Sequence, residues 1–265
     1  MNSLIRNTIV GAAATVAIAG QVHAEPGTRI SDDQSVRNVV LVHGAFADGA
    51  GWRGVYDDLT ARGYRVSIVQ NPLTSFEDDV NATRRILARQ EGRSILVGHS
   101  YGGSVITEAG IDPSVAGLVY VSALAPDVGE STGDQFAEIP APPEFIIETA
   151  PDGFGFVDRE LFKAGFAGDL PDADAAFLRD SQVPINMSIF STRLTQAAWR
   201  MKPSWAVIAT DDRAIDPRLL TEQAQRIGAE IIELKASHVL FLTQPRAVAD
   251  VIDAAARVTS KAAVR

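Results

Sequence analysis

Residues 94–103, Ser-Ile-Leu-Val-Gly-His-Ser-Tyr-Gly-Gly, carry an apolar run into a serine set between glycines and on into a segment that stays helix-compatible to Ala109. The short run Ser94–Val97, bounded by glycine, reads as a buried strand. Gly98-His99-Ser100-Tyr101-Gly102 then has the form G-x-S-x-G, a weak signal by itself in a chain with 21 glycines. Its position gives it weight. A serine at a strand-to-helix turn sits on strained backbone, and side chains at 98 and 102 would collide with the adjoining strand and helix. Ser100 Oγ then projects from the top of a sheet beside a helix N-terminus, whose dipole favours developing negative charge.

Outward from this stretch, apolar runs recur at Val36–Val42, Tyr64–Gln70, Val115–Ser122, Ser204–Thr210 and Glu230–Lys235. Between most of them lie amphipathic segments, Trp52–Arg62, Phe76–Gln90 and Pro217–Ile227, and Gln244–Val258 closes the series. Strands alternating with helices predict an α/β fold with a doubly wound, mainly parallel sheet. Residues 127–203 break the rhythm, because the interval is far too long for a crossover loop. Helical patterns at Asp158–Lys163, Asp172–Ser181 and Ser188–Trp199 predict an inserted helical cap over the carboxyl ends of the strands, where ligands bind in such sheets. The predicted division is therefore a core of 25–126 and 204–265 with a cap of 127–203.

A serine hydroxyl needs a base to take its proton. Of the histidines beyond residue 24, His43 lies in the motif ending the first strand, and His99 points away from Ser100 by strand alternation. His238, just beyond the last strand, is left as the base. The base needs an acid to fix its tautomer. Asp211, Asp212 and Asp216 all follow the fifth strand. Asp212 is chosen because it falls two residues past the strand end; Asp211 is expected to be solvated and Asp216 to cap the helix opened by Pro217. Asp127, after the fourth strand, is a second candidate. The tetrahedral oxyanion needs backbone N–H donors, for which His43-Gly44-Ala45-Phe46 after the first strand supplies the place: the amides of Ala45 and Tyr101. Phe46 and Leu240 are the candidate pocket residues, with core packing the competing role.

Composition bounds the rest. The 265 residues are 46% hydrophobic and 22% charged, which suits a globular protein with a sizeable core. The absence of cysteine excludes disulfides, thiolate metal sites and a cysteine nucleophile. A formal charge of −9, with no basic cluster, argues against nucleic acid as a partner. Residues 1–24 have one charge, Arg6, then an apolar stretch from Ile9 to Gly20 and a small residue at Ala24. This is the layout of a signal peptide, too short for the roughly 20 residues of a spanning helix. The expected product is exported, periplasmic or secreted, free of the membrane after cleavage, and begins at Glu25. Such a protein folds in an oxidising space, where a lack of cysteine avoids stray disulfides.

From Val39 to Ala255 the chain resembles the α/β-hydrolase superfamily, and within it the esterase and hydroxynitrile-lyase group that includes plant methyl-ester esterases and bacterial EstC-like esterases. The residues that carry the resemblance are Val42-His43-Gly44-Ala45, Gly98-His99-Ser100-Tyr101-Gly102-Gly103, Thr210-Asp211-Asp212 and Ser237-His238. The resemblance implies a Ser100, Asp212, His238 triad in that chain order and hydrolysis of a carboxylic ester through an acyl-enzyme, with no metal or organic cofactor; a small, partly apolar substrate is suggested by the Phe and Trp residues of 127–203, with the insertion's own core the stronger competing role. The lyases of the group carry a threonine after the strand-end histidine and a lysine after the catalytic histidine. Here these positions are Gly44 and Val239, so cyanohydrin cleavage falls behind ester hydrolysis. Carbon–carbon lyase chemistry and a non-catalytic small-ligand receptor are the alternatives on the same scaffold.

Overall fold

The computed structural model describes residues 35–262; the predicted export segment 1–24 lies outside them. Six strands make one sheet: β1 Asn38–Val42, β2 Arg65–Val69, β3 Ser94–His99, β4 Val115–Val121, and, after the long interval, β8 Ser204–Ala209 and β9 Glu230–Leu234. Their spatial order is β2-β1-β3-β4-β8-β9 and every pairing is parallel. β1, β3, β4 and β8 are buried along their whole length, whereas β2 and β9, at the two edges, are partly exposed. Unbroken β-branched and aliphatic runs such as Asn-Val-Val-Leu-Val suit strands covered on both faces.

The covering helices are α1 Arg53–Ala61, α2 Phe76–Leu87, α3 Gly102–Ala109, α6 Pro217–Arg226, the single turn α7 Leu240–Thr243 and α8 Pro245–Ala262. The crossover through α1 runs towards the β2 edge, and those through α2, α3 and α6 run the other way. Right-handed crossovers therefore place α1 on one face and the other three on the opposite one. α8 packs against α1 and α2 against α3, as that requires. Local signals agree. Ser75 caps α2 through a 3.1 Å bond from the Asp78 amide, and Asp216 caps α6 with Pro217 in its first turn.

The interval 127–203 differs from the all-helical cap expected of it. It holds two helices, α4 Phe162–Phe166 and α5 Asp172–Asp180, and also a small antiparallel sheet of β5 Ile147–Thr149, β6 Phe154–Val157 and β7 Ile185–Asn186. Ser188–Trp199, predicted helical, forms only short 3₁₀ turns at Met187–Ser191 and Ala198–Arg200. Asp158–Lys163 is mostly a turn, with the Asp158 side chain accepting from the Leu161 amide before α4 begins. Hydrogen bonds tie the interval to the sheet domain, among them Val183 N to Phe46 O, Asn186 N to Leu73 O, the Thr195 and Gln196 amides to the Glu108 carboxylate, and the Ser237 amide to Asp169.

Candidate active site

The order of the strands reverses between β1 and β3, and the crevice at the carboxyl ends of such strands is where ligands bind. Register places Val42 beside Gly98, which brings the loop after β1 against Ser100. Ser100 has φ 54°, in the left-handed region. So do Phe46, Leu73 and Ser122 (φ 63°, 58° and 40°), and these four are the only non-glycine residues with positive φ among the described residues. They follow β3, β1, β2 and β4 respectively, so the backbone strain of the described chain gathers at one end of the sheet, the pattern of a functional site.

Close approach explains the glycines. A Cβ at residue 98 would lie 2.5 Å from Gly102 O, and one at residue 44 would lie 2.8 Å from Ser100 Cβ and 3.0 Å from His99 O. Only glycine lets the β1 loop reach the serine turn.

Asp212 and His238 come from the loops after β8 and β9, and both are buried, at 2% and 1% exposure. His238 Nδ1 lies 2.7 Å from Asp212 Oδ2. The other carboxylate oxygen, Oδ1, accepts from the Ala214 and Ile215 amides at 2.8 and 2.9 Å, which fixes the acid without help from solvent. With Nδ1 donating to Asp212, His238 Nε2 carries the lone pair. Among the described residues neither that nitrogen nor Ser100 Oγ has a hydrogen-bond partner. The other acids are placed elsewhere: Asp211 is exposed, Asp216 caps α6, and Asp127 pairs with Arg200 at 2.6 Å.

The other two histidines are structural neighbours of this pair. His99 Nε2 is 3.0 Å from the His238 carbonyl oxygen, and the two rings lie 4.6 Å apart. Burial, with His238 alongside, drives the His99 imidazole well below its ordinary pKa, so it donates as a neutral ring. His43 Nε2 accepts from the Asn71 amide at 2.9 Å, leaving Nδ1–H to meet the Gly44 carbonyl at 2.8 Å. Burial lowers its pKa too. Because a trans peptide is planar, holding the Gly44 carbonyl towards His43 turns the Ala45 N–H the opposite way. Neither the Ala45 nor the Tyr101 amide donates to a protein acceptor among the described residues.

Two further acids were not found by sequence reasoning. Asp79, fully buried, accepts from Tyr101 Oη at 2.7 Å and from the Leu73 amide at 2.8 Å. Burial pushes its carboxyl up to about 6, against the pull of those two donors. Asp169, between α4 and α5, takes bonds from the Ser237 amide (3.1 Å), the Ser237 hydroxyl and Thr243 Oγ1 (3.0 Å), and so grips the loop on both sides of His238. No local motif marks either residue; both act through partners distant in sequence.

Ser100 opens onto a cavity of about 290 Å³ lined by Ala45, Phe46, Leu124, Phe145, Phe190 and Ile215 among others, with no charged side chain. A second cavity, of about 400 Å³, lies on the other side of Phe46 beneath α4 and α5. Phe46 lines both. Leu240 lines neither: it is fully buried at the start of α7, where the helical turn directs it into the core and leaves Val239, Phe241 and Leu242 facing the second cavity. Among the described residues no cluster of His, Asp or Glu could hold a metal ion, and no helix is long and apolar enough to cross a membrane.

A nucleophile-type turn after β3, an acid and a histidine on the loops after β8 and β9, and the parallel sheet beneath them define an α/β hydrolase. The chain belongs to the alpha/beta hydrolase family, whose model matches residues 39–251. It is 30% identical to the pyrethroid hydrolase of Sphingobium wenxiniae over 82% of this chain and 87% of that one. It is 38% identical to a carbendazim hydrolyzing esterase of a Nocardioides species, over 36% of this chain and 45% of that one. The crystal structure of a pyrethroid hydrolase from Sphingobium faniae superposes with a TM-score of 0.71 at 25% identity, covering 84% of this chain and 98% of that one. Hydrolases and esterases of small organic molecules are thus its relatives.

Proposed function

We propose that the protein hydrolyses carboxylic esters of small, partly apolar molecules, with Ser100 as nucleophile, His238 as base and Asp212 as its orienting acid. The observation that carries this is the buried 2.7 Å bond from His238 Nδ1 to Asp212, at the same strand ends as the strained Ser100. Ser100 Oγ attacks the ester carbonyl carbon as its proton passes to His238 Nε2. The Ala45 and Tyr101 amides receive the oxyanion. Collapse of the intermediate breaks the bond to the leaving oxygen, which takes the proton from His238 and departs as the alcohol. Water, deprotonated by the same nitrogen, then releases the carboxylic acid and restores Ser100. Relatives named for hydrolysis of a pyrethroid and of carbendazim support a small-molecule substrate.

Val239, apolar and buried beside the base, offers no cation to an anionic leaving group, which favours hydrolysis over cyanide-releasing lyase chemistry. The test is hydrolysis of short p-nitrophenyl esters by the wild type and by Ser100→Ala. The proposal requires the variant to lose activity by orders of magnitude, and equal rates would defeat it. Export with cleavage after Ala24 is proposed on the sequence of residues 1–24 alone; the intact mass of secreted protein tests it, and a species retaining Met1 contradicts it.

A further inference from the structure

Asp79 is a carboxylate without a cation. It stands in the first turn of α2, fully buried, and among the described residues no lysine, arginine or histidine pairs with it, while the exposed Asp78 beside it repels its charge. A buried charge of this kind is costly, and an apolar side chain of the same shape would be more stable there. What holds it are two hydrogen bonds, one to each oxygen: Oδ1 accepts from the Leu73 amide at 2.8 Å and Oδ2 from Tyr101 Oη at 2.7 Å. Each of these bonds leads to one of the two amides assigned to the oxyanion.

The first path is the shorter. Tyr101 follows Ser100, and its buried ring runs back to α2 between Phe76 and Phe190, edge-on to both at 6.4 and 6.1 Å. Burial, with Asp79 alongside, keeps the phenol protonated by pushing its pKa well above the ordinary value, so it donates to the carboxylate. The side chain of the residue that presents one amide is thereby anchored at its far end. The second path runs through the loop after β2. Leu73 sits at φ 58°, a conformation that a leucine keeps only under constraint, and its carbonyl accepts from the Asn186 amide of the cap at 2.9 Å. Pro72, with its fixed φ, joins it to Asn71. Asn71 donates its amide to His43 Nε2 and its side-chain Nδ2 to the His43 carbonyl, both at 2.9 Å. His43 Nδ1 in turn holds the Gly44 carbonyl, which sets the direction of the Ala45 amide. Every hydrogen bond on the two paths from Asp79 to these amides is buried, where such bonds are strongest.

We propose that Asp79 is a positioning residue for the oxyanion site, holding the Tyr101 amide through the phenol of that residue and the Ala45 amide through Leu73, Asn71 and His43. This rests on the ester-hydrolase reading above. Donors that are already aimed when charge develops are worth most, because none of the stabilisation is spent on turning them during the reaction. Asp79 lines neither cavity, so its effect falls on the transition state and leaves binding of the ester almost untouched.

The experiment measures kcat and KM for p-nitrophenyl acetate in the full chain. Two inhibition constants accompany them: that of 1,1,1-trifluoro-4-phenyl-2-butanone, whose adduct with a serine carries an oxyanion, and that of 4-phenyl-2-butanone, which forms no such stable adduct. Asp79→Leu, which cuts both paths, is expected to lower kcat by about 10²-fold, as loss of one oxyanion donor does. Tyr101→Phe, which cuts one and leaves the Leu73 bond in place, is expected to lower it by about tenfold. In both, the trifluoroketone weakens by the same factor as kcat, and KM and the plain ketone stay within about threefold. Asp79→Asn can accept from Leu73 and donate to the phenol oxygen, and should restore kcat to within about threefold of wild type. Tyr120→Phe is the control, because it removes another buried phenol hydroxyl, bonded to Thr107 at 2.9 Å, that lies on neither path. Should Asp79→Leu not fold, Tyr101→Phe decides. A Tyr101→Phe enzyme whose kcat and trifluoroketone affinity match those of Tyr120→Phe overturns the proposal, as does a loss confined to KM. If either result comes with hydrolysis that still depends on Ser100, the hydrolase reading stands and the positioning role falls. Undiminished hydrolysis by Ser100→Ala brings down both.

Discussion

Gly44→Ala places one methyl group where the loop after β1 meets the serine turn. Its carbon would lie 2.8 Å from Ser100 Cβ, 3.0 Å from His99 O and 3.1 Å from His99 Nδ1. Carbon pairs rest at about 3.5–4.0 Å, so the contact with Ser100 must open by about 0.7–1.2 Å. Relief is blocked on two sides by His99, whose ring is fixed by its bond to the His238 carbonyl. Ser100 itself, at φ 54°, has little conformational freedom with which to yield in place. The displacement therefore separates Ser100 from His238 and from the Ala45 amide. A misplacement of about 1 Å costs roughly 10²-fold in rate. Overpacking of this kind costs about 1–3 kcal/mol of stability, less than the ~5–15 kcal/mol a domain has, so the variant stays folded. The assay is kcat and KM for p-nitrophenyl acetate beside a urea melt, with Gly168→Ala as the control because a Cβ there meets nothing closer than 3.8 Å. The expected result is a kcat lower by about 10²-fold in Gly44→Ala with the control unchanged. A folded Gly44→Ala enzyme whose kcat stays within about threefold of wild type would refute the argument that this contact sets the position of the nucleophile.

Three other outcomes follow from the same geometry. Asp79 has its folded-state pKa raised by burial to about 6 from 3.8, so the folded protein holds the proton in that window and loses this favourable contribution as pH rises through 6. Asp79→Asn, which keeps an acceptor for the Leu73 amide, should gain on the wild type by about 2 kcal/mol between pH 4 and pH 7 in urea melts; a difference independent of pH contradicts the shift. Asp169→Ala releases the loop on both sides of His238 and should lower kcat about tenfold with little change in KM, with Asp169→Asn retaining more; equal kcat in all three forms removes the loop from the account. Asp212→Asn keeps the shape of the acid but can favour the wrong tautomer of His238, and a kcat loss of about 10³–10⁴ is expected. A loss under about tenfold would point to another acid.

The sheet was legible because its strands are long, aliphatic and bounded by turn residues, and all six predicted runs are strands. Ser94–Gly103 located the serine turn because strand, glycine and helix follow in ten residues. Asp212 could be told from Asp216 because Pro217 marks a helix start that Asp216 caps. The cap was harder. β5, β6 and β7 have three, four and two residues, too few for alternation to show. Pro151-Asp152-Gly153 between two apolar segments is a hairpin signal that the helical reading of the cap passed over: Gly153 has φ 85° and Asp152 accepts from the Phe154 amide. The apolar pattern of Ser188–Trp199 looked helical, but its register is set by tertiary partners, including the bridge of Ser131 with Arg193 and the bonds of Thr195 to Glu108. Asp79, Asp169 and the two supporting histidines were illegible for the same reason. Their roles exist only once segments tens of residues apart are packed together.

The central claim is that Ser100 carries the acyl group, and it is tested most directly by trapping the intermediate. The enzyme is mixed with p-nitrophenyl butyrate, quenched in acid during the first turnover, digested, and its peptides weighed. The account predicts a butyryl adduct on the peptide containing Ser100, formed and lost at rates consistent with kcat and absent from Ser100→Ala. Full turnover by Ser100→Ala, or an adduct confined to another residue, would contradict it.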